Sequence, residues 1–290
     1  MLHVFKHGAI LGKDRGFITM RADGEEKRQP HEDIRAVIIA ARGVTLTSNF
    51  VSAILETDGI ILHCNEQYQP CGVTAPLQRV TDNRAYLTQA SRPVRLNNRI
   101  WHHLLRGKTR NQQNVLKKRK LHSAHLELAL KQDTFDEGNC AKRYWQLYFP
   151  SIGWGTSSRD RKEDTAPNQM LNYGYAVLAA LCHRSLLIHG LSPLLGVKHT
   201  TRFHSDPLVY DLMEPFRPLV DLMLAEFMLE EDISFRAWSK KVGNDLRERR
   251  VQHDRYSLKL MDAIDASASS LTRSYSEKSD APFWVPEIEV

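Results

Sequence analysis

At 290 residues and 33.3 kDa the chain is long enough for two average domains and for a core that needs no staples. Its 42% hydrophobic and 26% charged residues exclude long disorder, and no apolar run approaches the roughly 20 residues that span a bilayer. Cys64, Cys71, Cys140 and Cys182 form no Cys-x-x-Cys pair and Met1 to Ile10 shows no apolar leader. The chain therefore reads as cytoplasmic with reduced thiols, and its net charge of +6 suits an anionic partner.

In chain order, the first segments read as strands. Val37 to Ala40 and Gly59 to His63 are short apolar runs, and Gly8, Gly12, Gly16, Gly24, Gly43, Gly59 and Gly72 punctuate them as hairpins require. Ser48 reads as a helix N-cap before Phe50, Val51, Ile54 and Leu55. Residues 1–75 are thus expected to form a small β-rich domain and 76–91 a connector. Beyond it, long amphipathic patterns over Asn111 to Leu130, Leu171 to Ile188, Pro218 to Glu230 and Asn244 to Ile264 predict a larger all-α domain over 92–290. The expected fold class is α+β, and the Ser/Pro-rich tail from about Ser274 is expected to be mobile.

Charge is unevenly spread. The 44 residues between Asp82 and Glu127 hold no acid and eleven Lys or Arg, Arg84 to Lys120, with four His and Trp101 among them. A solvated helical face is the plain alternative, but such one-sign density repels itself unless a polyanion neutralises it, which favours nucleic acid.

Three segments of the helical half could carry chemistry. In the first, Glu137, Ala141, Tyr144 and Tyr148 share a helix face, so a carboxylate points toward packed aromatics, with Lys142 and Arg143 beside it. Taken alone, Glu137 reads sooner as a structural first-turn acid favoured by the helix dipole. In the second, His199 and His204 sit in a polar loop after Gly190, Pro193 and Gly196, and either could be a plain surface histidine. The third runs from Asp206-Pro207, an N-cap pattern, to Pro218. There Asp211 and Glu214, three apart in an apolar helix, can converge on one cation. Carboxylates with histidine suit Mg²⁺ or Mn²⁺ better than zinc, and such an ion beside a basic tract is equipment for phosphodiester chemistry.

Four blocks occur in order: Asp136-Glu137-Gly-x-x-Ala-x-x-Tyr144-Trp145, Pro167-Asn168-x-x-Leu-Asn172-Tyr-Gly-Tyr175-Ala-x-Leu178, Gly190-Leu-Ser-Pro-x-x-Gly196-x-x-His199, and Leu208-Val-x-Asp211-Leu-Met-Glu214-Pro-Phe-Arg217-Pro-Leu-Val-Asp221. Together they resemble the CRISPR-associated spacer-acquisition integrase family. The glycine-punctuated first 75 residues fit its β-rich domain, and the length and Glu214 are most like the subtype II members.

The resemblance implies a single Mg²⁺ or Mn²⁺ held by Glu137, His199 and Glu214 as catalytic ligands, with Asp211 as a supporting acid. His204 is the other candidate ligand. The spacing to Glu214 favours His199, which leaves His204 to contact DNA or support the loop. The implied activity is an endonuclease and integrase that inserts a short duplex into a repeat by attack of 3′-hydroxyl ends on phosphodiesters. A neutral histidine ligand implies loss of activity at acidic pH. Arg84, Lys142, Arg143, Arg202, His204 and Arg217 are the candidate DNA contacts. Family members act as homodimers through the β-rich domain, around a small ferredoxin-like adaptation protein. Two other readings stay open: a metal-dependent nuclease of branched or single-stranded DNA in repair, and a non-enzymatic DNA-binding scaffold in which Asp211 and Glu214 merely pair with Arg217 or Lys198.

Overall fold

The structure is a computed structural model that describes residues 1–66, 70–77, 83–132, 136–155, 159, 165–200, 206–253 and 256–289. Its first part is built from β1 (Leu2–Val4), β2 (Ile10–Asp14), β3 (Phe17–Ala22), β4 (Glu25–Pro30), β5 (Ala36–Ile39), β6 (Thr45–Leu46), α1 (Ser48–Glu56), β7 (Ile60–Cys64) and β8 (Pro70–Thr74). One sheet runs β1-β5-β7-β8, parallel except for β8, and the other runs β4-β3-β2-β6. The β3–β4 hairpin turns on Asp23-Gly24, both with positive φ (52° and 78°), as the two-residue turn that follows strand twist requires.

Alternation along β5 and β7 divides the core. Val37, Ile39 and Ile61 meet Val4, Leu11, Ile18, Phe50 and Ile54 between the sheets and α1. Ala36, Ile38, Ile60 and Leu62 face the helices instead. Helix α1 is capped by Thr47, whose Oγ1 accepts from Phe50 N at 3.2 Å, one residue before the expected Ser48.

The second part is mostly helical, with α2 (Arg84–Ser91), α3 (Val94–Lys118), α4 (Ala124–Lys131), α5 (Glu137–Ser151), α6 (Ala166–Ile188), α7 (Pro207–Met213), α8 (Arg217–Phe227), α9 (Phe235–Glu248) and α10 (Leu260–Glu277). Within the expected connector, α2 buries Ala85 and Gln89, and Gln89 clamps the 192–195 loop through Ser192 N, Ser192 O and Leu195 O. Helices α6 and α9 pack on the first sheet. There Tyr173 hydrogen-bonds His3 (3.1 Å), and a Cβ at Gly243 would lie 2.8 Å from His3 Nδ1. None of the described helices is long and apolar enough to cross a membrane.

Three expectations need correction. The helix expected over Asn111 to Leu130 begins at Val94, stops at Lys118 and resumes as α4. The one expected over Asn244 to Ile264 is interrupted by a ribbon of β9 (Arg250–His253) and β10 (Tyr256–Lys259). The C-terminal tail is packed rather than loose. It runs along α3, where Asn111 Nδ2 donates to Pro286 O (3.0 Å), Asn114 Nδ2 donates to Ile288 O (2.9 Å), and Ile288 N donates to Asn111 Oδ1 (2.9 Å).

Candidate functional site

Helix α5 begins at Glu137 because Asp136 caps it, accepting from Asn139 N at 3.1 Å. The shared face expected of this helix is present: Tyr144 and Tyr148 are buried, while Glu137 opens into a cavity of about 240 Å³ also lined by Lys108, Gln112, Arg159, Tyr175, Glu214 and Arg217. Glu214 arrives from the other side. Helix α7 ends at Met213, and a single 3₁₀ turn, Glu214–Phe216, leads into α8, with Pro215 and Pro218 marking the interruption.

Lys108 of α3 joins the two acids. Its Nζ lies 2.6 Å from Glu137 Oε1 and 2.8 Å from Glu214 Oε2. Arg217 Nε lies 3.0 Å from Glu214 Oε1. Burial opposes the charge on Glu214, yet Arg217 and Lys108, with a smaller contribution from His199, hold its carboxyl at about 2. Burial likewise opposes the Lys108 ammonium, and the carboxylates of Glu214 and Glu137 outweigh it, so its pKa is raised. Glu214 Oε2 is at ion-pair distance from Lys108 but aligned with no hydrogen-bond donor. The site is therefore a place where positive charge is already held between two carboxylates, with a buried oxygen lacking an aligned donor. Two carboxylates and a nearby imidazole are a donor set that suits a hard divalent cation. Among the described residues no three His, Cys, Asp or Glu side chains converge as ligands, because Lys108 occupies the place between the acids and His199 is turned to Asp211.

Asp211 does something other than converge with Glu214 on a cation, as their spacing suggested. It is fully buried and accepts from Val197 N (2.6 Å), Lys198 N (3.1 Å) and His199 N (3.2 Å), and it meets His199 Nδ1 at 2.7 Å. A loop wrapped this tightly needs glycine at 196, where a Cβ would sit 2.4 Å from His199 O and 2.9 Å from Asp211 Oδ2. With the carboxylate at Nδ1, Nε2 is the ring nitrogen that Asp211 does not engage, the arrangement by which a carboxylate partner orients a ligating histidine. The indole of Trp101 stands edge-on to the ring, with centroids 5.7 Å apart.

Sequence reasoning did not single out Lys108, Arg159, Tyr175 or Asp221 as site residues. Asp221 is enclosed by hydroxyls: Tyr144 donates to Oδ2 (2.8 Å), Tyr175 donates to Oδ1, and Tyr148 donates to the backbone oxygen (2.7 Å). Burial raises its carboxyl to about 6, against the pull of Tyr175, Tyr144, Arg159 and Arg217. The guanidinium groups of Arg159 and Arg217 lie 4.6 and 5.2 Å from the Tyr175 ring centroid. A signal for Lys108 was available. It shares a helical stripe with Leu104, Asn111, Gln112 and Val115, all buried, which turns a lysine of a basic run inward.

Of the expected DNA contacts, Arg217 lines the cavity, while Arg84, Lys142 and Arg143 are exposed and do not. Arg202 and His204 lie outside the described residues. The basic tract is less open than its composition suggests. Arg99 and His103 meet Asp280, Arg110 meets Glu287, Arg106 reaches the carbonyls of Leu130 and Gln132, and Arg119 reaches that of Ser151.

A two-sheet, mostly helical architecture of this kind is found in known structures. A Cas1 protein of Thermotoga maritima superposes with a TM-score of 0.76 at 18% identity, covering 100% of this chain and 99% of that one. A casposase bound to integration product also gives 0.76, at 19% identity, covering 96% and 91%. In sequence, the CRISPR-associated endonuclease Cas1 of Neisseria meningitidis serogroup C is 28% identical over 300 residues, covering 98% of this chain and 95% of that protein. The family model for CRISPR associated protein Cas1 matches residues 2–247, and the chain belongs to that family.

Proposed function

We propose that the chain is a metal-dependent DNA endonuclease and strand-transfer enzyme of CRISPR adaptation, with Glu137, His199 and Glu214 as ligands of one Mg²⁺ or Mn²⁺. The observation that carries this reading is the meeting of Glu137 and Glu214 on one positive charge, with His199 held nearby by Asp211. When bound, a divalent cation supplies charge neutralisation at the phosphoryl oxygens. The remaining work falls to side chains of the chain itself. Asp211 keeps a proton on His199 Nδ1 and so presents Nε2. Arg217 and Arg159, stacked against Tyr175 at the cavity wall, bind the target phosphate and orient it. In the transfer a 3′-hydroxyl of the incoming duplex gives its proton to water and its oxygen bonds to phosphorus, while the target strand's P–O3′ bond breaks and the departing 3′-oxygen takes up a proton from water to leave as a hydroxyl. One phosphodiester replaces another, so no external energy source is needed.

In this reading residues 1–75 form the dimerisation domain, 76–91 the connector and 92–290 the catalytic domain. Two such homodimers flank a dimer of a small ferredoxin-like adaptation protein in the cytoplasm. Arg84, Lys142, Arg143, Arg202 and His204 contribute salt-sensitive contacts to the duplex backbone. The test is a labelled duplex, a supercoiled plasmid bearing the repeat, the adaptation protein and Mn²⁺. Label joined covalently to the plasmid supports the proposal. Relaxation without transfer would mark a nuclease, and inertness with every component present would mark a scaffold.

A further inference from the structure

The cavity holds a lysine where the proposed ligands should hold a metal. Lys108 is anchored on a 25-residue helix, its side chain is 15% exposed, and its Nζ touches one oxygen each of Glu137 and Glu214. Those acids come from α5 and from the 3₁₀ turn before α8, so the ammonium ties together three elements distant in sequence. Without it, Glu214, at 6% side-chain exposure, would keep Arg217 as its ion-pair partner among the described residues, with a smaller contribution from His199. Resting on the metal-site reading above, we infer that Lys108 is a positioning residue: a tethered cation that fills the gap between Glu137 and Glu214, pre-forms the pair, and must be displaced before a divalent ion can bind.

Two consequences set this apart from an ordinary buried ion pair. An ion pair that only supports the fold would leave metal affinity unchanged or lower it when disrupted. A competing cation lowers apparent affinity by the fraction of molecules in which it has left the site. Removing its charge therefore tightens metal binding while it weakens the metal-free protein, because two carboxylates lose their shared partner. The displaced ammonium also remains within side-chain reach of the cavity, where a phosphate would be its next partner.

The test is Mn²⁺ binding to the full-length chain, followed by electron paramagnetic resonance of free Mn²⁺, for wild type, Lys108→Gln, Lys108→Arg and Glu214→Gln. Glutamine can still donate to both carboxylates but carries no charge. Lys108→Gln should bind Mn²⁺ about tenfold tighter or more, Lys108→Arg should stay within about threefold of wild type, and Glu214→Gln should lose the site. Equal or weaker binding by a folded Lys108→Gln, with binding by wild type that Glu214→Gln abolishes, would overturn the lysine inference and leave the metal reading standing. No Mn²⁺ bound by any of the four would remove the metal reading and the inference with it. A second measurement needs no variant. A zero-length carbodiimide should join Lys108 to Glu137 or Glu214 in metal-free wild type, and saturating Mn²⁺ should suppress that cross-link at least about fivefold. A cross-link indifferent to Mn²⁺ would overturn the inference even if Lys108→Gln failed to fold.

Discussion

Replacing Asp211 with asparagine exchanges one oxygen for an NH₂ group at almost no change in volume, and the structure makes its cost calculable. Oδ2 accepts from Val197 N and Lys198 N, and Oδ1 accepts from His199 N and meets His199 Nδ1. An asparagine has one accepting oxygen: turned one way its NH₂ group faces Val197 N and Lys198 N, and turned the other it faces His199 N, with His199 Nδ1 able to accept from it by a change of tautomer. An unsatisfied donor costs about 1–3 kcal/mol when buried and less where water reaches it, and the surviving bonds lose their charge-assisted strength, so the loss should be about 2–4 kcal/mol. That is a large part of a typical domain's total stability. Urea unfolding with matched slopes for the two proteins measures it. Because Asp211 acts through the loop and His199, Asp211→Asn should also lower Mn²⁺ affinity, but less than Glu214→Gln does. A stability loss below about 1 kcal/mol would refute the reasoning, since the bonds would then not be holding the loop.

Other outcomes are specified as closely. Gly107→Ala would gain about 1 kcal/mol of helix propensity on an open face, but its Cβ would lie 2.2 Å from Val285 Cγ1 and 3.4 Å from Pro215 Cβ, so the variant should lose stability and Val285→Ala should restore it. A rise in melting temperature in Gly107→Ala alone would contradict the packing of the tail on α3. Asp221 titrates at about 6 in the folded chain against an ordinary 3.8, so the folded state holds a proton that the unfolded state has released. Its contribution to stability is therefore complete below about 4 and lost as pH rises through 6, and relative to Asp221→Asn the wild type should weaken by at most about 3 kcal/mol between pH 4 and 7. Parallel pH profiles of the two proteins would refute this. Glu137→Ala, His199→Ala and Glu214→Ala should each abolish strand transfer, but not at equal structural cost. The Glu137 side chain is 37% exposed and its loss should leave the melting temperature nearly unchanged, whereas losing the 6% exposed Glu214 takes the carboxylate from Arg217, leaves Lys108 with Glu137 alone, and should cost about 3–5 kcal/mol. Equal melting temperatures for those two variants would contradict the burial argument.

Much of this was legible in the residues. Val37 to Ala40 and Gly59 to His63 read as strands because both faces of β5 and β7 are covered, and a doubly covered strand is apolar throughout. The face carrying Glu137, Tyr144 and Tyr148 followed from helical spacing alone. The failures have physical causes. The start of α3 was missed because its stripe of Leu96, Ile100 and Leu104 is diluted by arginines and histidines, so charge masked a period that was present. The ribbon of β9 and β10 was read as helix because its short strands pair with each other and with Glu287, a partner far along the chain. Asp211 and Glu214 do not converge because the α-helix ends at Met213, so the spacing rule no longer applies at Glu214. The contacts Arg99–Asp280 and Arg110–Glu287 join α3 to a tail more than 170 residues away, a pairing that local composition cannot reveal.

The central claim is that Glu137, His199 and Glu214 share one ion, and crystals soaked in Mn²⁺ test it most directly. Anomalous scattering should give a peak within about 2.5 Å of a carboxylate oxygen of Glu137, of Glu214 and of His199 Nε2, with Lys108 withdrawn from the acids. A fully occupied Mn²⁺ bound elsewhere in the chain, with Lys108 still bridging Glu137 and Glu214, would contradict the account.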